Sequence, residues 1–133
     1  MSSSHEPMVY INGEFVPEGQ ATVSVFDRGF RWGDGMYEMS RTFGGKLFRL
    51  GEHLERQKWS LSYGRIDLDE SMSELEAATE ELVARNKATG EGADDLGVTH
   101  IISRGLLDPT RRAATRPTVV VNTETLAFGM YAR

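Results

Sequence analysis

The sequence predicts an α+β domain in two layers, a mostly antiparallel sheet with two helices on one face. Three observations carry that reading. Asn12-Gly13 and Gly44-Gly45 each stand between short runs of strand-forming residues, the signature of tight hairpins. Two stretches with apolar residues at helical spacing follow, and two further strand-like runs come after them.

In order, "VYINGEFV" is the first hairpin, and "ATVSVFD", with Val23 and Val25 alternating, reads as a third strand. "GMYEMSRTF" and "KLFRL" flank Gly44-Gly45, whose glycines supply the positive φ that the turn needs. From about Leu50 the spacing becomes helical, with Leu50, Leu54 and Leu61 on one face. Ser71 and Glu74 form a capping box. Met72, Leu75, Ala78, Thr79 and Leu82 then repeat at three and four, and this second helix ends near Asn86. "KATGEGADDLG" is a polar, glycine-rich loop; "VTHIISR" and "TVVVNTETL" return to strand around the basic loop "GLLDPTRRAATRP". Hairpin connections make the sheet antiparallel, and two amphipathic helices cover one face of it. Residues 1–7 read as a disordered lead-in.

Composition narrows the function classes. The chain has 133 residues, a usual length for one domain, and 39% hydrophobic residues suffice for a packed core. A net charge of −5 argues against nucleic acid as partner, since phosphate backbones call for basic surplus. With no cysteine, disulfides and thiolate zinc are excluded, and a cytoplasmic domain is expected. His5, His53 and His100 are too scattered for a metal site, and no apolar run approaches the ~20 residues of a membrane span.

Arg56 could pair with Glu52 one turn earlier, or offer its planar fork to a phosphate or carboxylate. In "DRGFRWGDGMYE" the glycines could merely shape a bend, with Asp27 and Asp34 solvated; no helix follows them as in nucleotide-binding loops. Composition and spacing thus point to an anion-binding α+β domain.

"DRGFRWGDGMYE", the Gly-Gly hairpin with "LFRL", "EHLER" and "ISRG", in that order, resemble the amino-terminal domain of fold type IV pyridoxal-phosphate enzymes. That family includes branched-chain and D-amino acid aminotransferases, R-selective amine transaminases and aminodeoxychorismate lyase. The resemblance spans about residues 8–128 and implies a small domain with an antiparallel sheet and two helices. It implies Arg56 as the ligand of the cofactor phosphate, and Tyr37, with Phe30 and Trp32 beside it, as a wall of the substrate pocket. Arg111, Arg112 and Arg116 become candidates for a substrate carboxylate. Arg104 is expected to anchor its loop and His53 to pack on the helix, while Gln57 replaces the leucine common after the motif arginine.

The implied cofactor is pyridoxal 5'-phosphate, the substrates an amino acid or amine and a keto acid, and the assembly a homodimer. Lys46, Lys58 and Lys87 do not match the family's Schiff-base lysine, which belongs to a second, larger domain. The chain therefore resembles an amino-terminal fragment, inactive by itself, with 129–133 at the start of the interdomain linker. The alternatives are an aminodeoxychorismate lyase-type enzyme or a non-catalytic anion-binding or dimerising module.

Overall fold

A computed structural model describes residues 6–88, 95–106 and 116–126. Six strands form one antiparallel sheet: β1 (Met8–Ile11), β2 (Glu14–Pro17), β3 (Gly35–Phe43), β4 (Lys46–Phe48), β5 (Leu96–Ser103) and β6 (Thr118–Thr125). Their spatial order is β2-β1-β6-β5-β3-β4, so the last strand lies between the first hairpin and the rest. A short helix α1 (Arg28–Trp32) precedes β3, and α2 (Leu50–Gly64) and α3 (Met72–Ala88) link β4 to β5.

Both hairpins form where their turn residues stand. Asn12 and Gly13 take φ of 50° and 91°, Gly44 and Gly45 of 59° and 82°, the paired positive φ of a two-residue turn. Asp95, just ahead of β5, ties down the second turn. It accepts from the Gly45 and Gly44 amides at 2.9 and 3.2 Å and from the Thr42 hydroxyl at 2.7 Å.

α2 packs on β3 and α3 on β1 and β6. Leu50, Leu54 and Leu61 of α2 and Leu75, Leu82 and Val83 of α3 join Val98, Ile102, Val119 and Val121 of the sheet in one core. Ser71 Oγ accepts from the Glu74 amide at 3.1 Å, so the expected cap of α3 forms. Asn86, buried near the end of α3, accepts from Met8 N at 2.8 Å and donates to Met8 O at 2.9 Å, holding β1 to the helix layer. On the other face, Tyr37, Met39 and Ile101 remain exposed.

Two readings of the sequence are corrected. Residues 21–26 are not a strand: Val23, Val25 and Phe26 are exposed and pair with no strand among the described residues, because β1 takes β6 as its second neighbour. The stretch "RGFRW" is not an open bend but a turn of helix, capped by the Asp27 carboxylate accepting from the Gly29 amide at 2.8 Å. Glu6 and Pro7, within the expected lead-in, bond the Gly19 and Glu18 amides; residues 1–5 and 127–133 lie outside the described residues.

Candidate active site

The site is built around alternation in β3. Glu38 turns inward towards α2 and Tyr37 outward, since successive side chains of a strand leave on opposite faces. β4 pairs only with Arg41–Phe43, so the outer edge of β3 from Gly35 to Ser40 has no strand beside it among the described residues. Arg56 on the helix side and Tyr37 on the open face therefore border one free strand edge.

The Glu38 side chain is only 7% exposed. It accepts from Arg56 Nε at 2.9 and 3.1 Å through its two oxygens, and from Arg56 Nη2. His53 Nδ1 lies 2.9 Å from the same carboxylate. Burial works to raise the Glu38 pKa, but the hydrogen bonds and charge of Arg56, with those of His53, hold it below the usual carboxylate range. Glu38 in turn raises the Arg56 pKa. Arg56 is thus a fixed fork: its Nε and Nη2 edge is spent on Glu38, its side chain is 68% exposed, and Nη1 has no partner among the described residues. Glu52 pairs with Arg49 instead, at 3.4 Å, so the surface pairing of Arg56 with Glu52 does not form. The guanidinium is held rigid with donors to spare, as an anion ligand requires.

Across the edge, Tyr37 is 69% exposed and lines a cavity of about 480 Å³ with Val23, Phe30, Met36, Ile101 and Val120. Trp32 is exposed at the end of α1 and does not line it. Asp27, expected in solvent, is buried at this cavity. It accepts from Ser103 Oγ at 3.0 Å and Thr118 Oγ1 at 2.6 Å, besides its helix cap. Burial would raise its pKa; these three donors outweigh that and lower it. Gly35 allows β3 to approach β5 here, since a Cβ would sit 2.6 Å from Ile102 O.

Arg116, of the loop, does not line this cavity. Arg116 pairs with Asp69 through Nε at 2.7 Å and Nη2 at 2.6 Å, beside a separate cavity of about 440 Å³ lined by Asn12, Glu70 and Pro117. Arg111 and Arg112 lie outside the described residues. Arg104 anchors its loop as expected, to Asp34 and to the end of α2. His53, read as a packing residue, is a member of the Glu38 cluster. Glu38 itself is the residue that sequence reasoning missed. The available signal was a glutamate at an inward position of β3, opposite a helix carrying both histidine and arginine.

No protein-family profile matches the chain. The D-alanine aminotransferase of Staphylococcus haemolyticus is 43% identical over 84 residues, 63% of this chain and 30% of that protein. The Listeria monocytogenes enzyme of the same name is 40% identical over 78 residues, 59% of this chain and 27% of its own length. The chain therefore spans less than a third of these curated relatives. Among solved structures, the T.th. branched-chain amino acid aminotransferase with pyridoxamine 5'-phosphate is 25% identical at a TM-score of 0.77, covering 92% of this chain and 40% of that one. The Escherichia coli branched-chain enzyme, 21% identical over the same shares, has the same fold at a TM-score of 0.79. By sequence likeness and by fold alike, this chain is similar to the amino-terminal domain of fold type IV pyridoxal-phosphate aminotransferases.

Proposed function

We propose that this chain is the part of a pyridoxal-phosphate-dependent aminotransferase that grips the cofactor phosphate and walls one side of the substrate pocket. The observation that carries this is the pinned but open fork of Arg56. Glu38 fixes its orientation, and its remaining donors face outward beside the free edge of β3. A phosphate fits such a fork, as it needs a charged, directional donor and little else. Arg56 would hold the phosphate. Glu38 and His53 would keep the guanidinium in place, and Tyr37 with Phe30 would pack along the substrate and keep water from it. The bound cofactor supplies the electron sink for moving an amino group between an amino acid, or an amine, and a keto acid.

The lysine required for that chemistry is not among these residues. Lys87 donates to Gly45 O at 2.8 Å, and no lysine lines the Tyr37 cavity. The reading therefore places the lysine in a second domain and makes this chain inactive alone. It also takes the uncovered sheet face as the surface for that domain or for a second subunit in a homodimer. Of the loop arginines, Arg111 and Arg112 are retained as candidates for a substrate carboxylate. Arg116 would first have to leave Asp69.

Changing Arg56 to alanine in a two-domain protein carrying this domain tests the central role. Cofactor retention should weaken about tenfold or more, the loss expected for one charge-assisted phosphate contact. Unchanged cofactor affinity would remove Arg56 from the phosphate site.

A further inference from the structure

We propose that Arg104 is a positioning residue, which holds the helix bearing Arg56 in register with the strand bearing Tyr37 and so sets phosphate affinity without touching the phosphate. This rests on the reading of Arg56 as the phosphate ligand.

Arg104 directly follows β5, and each of its three guanidinium nitrogens already donates within the fold. Nη2 reaches Gly64 O at 2.8 Å and Nη1 reaches Arg65 O at 3.1 Å. These carbonyls end α2, where the last C=O groups lack intrahelical partners and the helix dipole is negative, so a cation is doubly suited there. Nε donates to Asp34 Oδ2 at 2.9 Å, and the Arg104 amide donates to Asp34 O at 3.1 Å. Asp34 joins α1 to β3, and its own amide bonds Arg28 O at 3.2 Å. Phe30 stands four residues before it and Tyr37 three after it.

One planar group thereby ties the end of the Arg56 helix to the segment that carries the cavity wall. Arg56 lies eight residues before Gly64, about 12 Å along a stiff helix, so a tilt or rotation released at the end of α2 is carried to the fork. Lysine keeps the charge and can pair with Asp34, but a single ammonium does not span two carbonyls and a carboxylate in the guanidinium's plane.

The test is a titration of this chain with pyridoxamine phosphate, which lacks the aldehyde that labels lysines. Binding is read from the phosphorus-31 resonance of the ligand phosphate well below the melting temperature. Arg104→Lys should bind about tenfold more weakly, a usual size for coupling through packed elements. It should stay weak after sucrose has restored its Tm to the wild-type value. Asp34→Asn, which leaves both carbonyl bonds in place, should weaken binding less and serves if the lysine variant does not fold. Unchanged affinity in the folded variant, or affinity that returns with Tm, would mean that Arg104 contributes stability only and would overturn the proposal. Arg56→Ala is the control that separates the two readings. If that variant binds as wild type does, the phosphate reading fails and the role of Arg104 falls with it. If it loses binding while Arg104→Lys keeps it, the Arg104 proposal alone fails.

Discussion

Replacing Glu38 with glutamine tests the cluster at the centre of the site. Glutamine has the same shape and keeps one acceptor oxygen, but it removes a charge that is 7% exposed and that Arg56 and His53 both address. Hydrogen bonds to a charged group are worth roughly 1.5–3 kcal/mol when sheltered. Here the Arg56 side is open to water and adds little, so the His53 contact and the buried carboxylate dominate. The expected loss is about 1–2 kcal/mol of unfolding free energy at pH 7. The Glu38 pKa is held below its unfolded value. Its stabilisation is therefore fully present above the unfolded pKa, near 4.3, and disappears as pH falls through the lower, folded value. Urea denaturation of both proteins at steps from pH 7 to pH 3 measures this. The gap between them should close towards the acid end, while Asp27 and Asp95, also lowered, affect both proteins alike. A gap that stays constant over the whole range would show that the Glu38 charge contributes nothing.

Two further outcomes follow from buried polar groups between the sheet and the helices. His100 is fully buried with Nε2 2.9 Å from Thr79 Oγ1, and burial pushes its pKa down to about 4, against the smaller upward pull of Glu38. Stability should therefore fall as pH drops from about 6.5 towards 4, and His100→Phe should flatten that slope by up to about 1.4 kcal/mol per pH unit. Equal slopes for both proteins between pH 6.5 and 5 in urea denaturation would refute a neutral buried imidazole. Gln57 is buried with neither amide atom bonded among the described residues. Gln57→Leu should raise unfolding free energy by about 1 kcal/mol, and a lower Tm would mean that the amide is satisfied.

Features that depend on neighbours a few residues apart are legible in the chain itself. Asn12-Gly13 and Gly44-Gly45 set both hairpins through φ alone. The spacing of Leu50, Leu54 and Leu61 set the buried face of α2, and Ser71 with Glu74 set the start of α3. The motifs around Tyr37, Arg56 and Arg104 carried the family resemblance for the same reason, being short and contiguous. Tertiary structure decided everything that requires two distant segments to meet. Val23 and Val25 alternate as a strand should, yet no strand edge was free for them once β6 had docked beside β1. Arg56 had Glu52 within reach on its own helix, but Glu38, eighteen residues away, took it, because a sheltered carboxylate must find a cation and an exposed one need not. Likewise the α2–α3 connection brings Asp69 to Arg116, a pairing that its loop sequence did not show. Local periodicity reports which side of an element is apolar. Only packing reports which buried charge that side must answer.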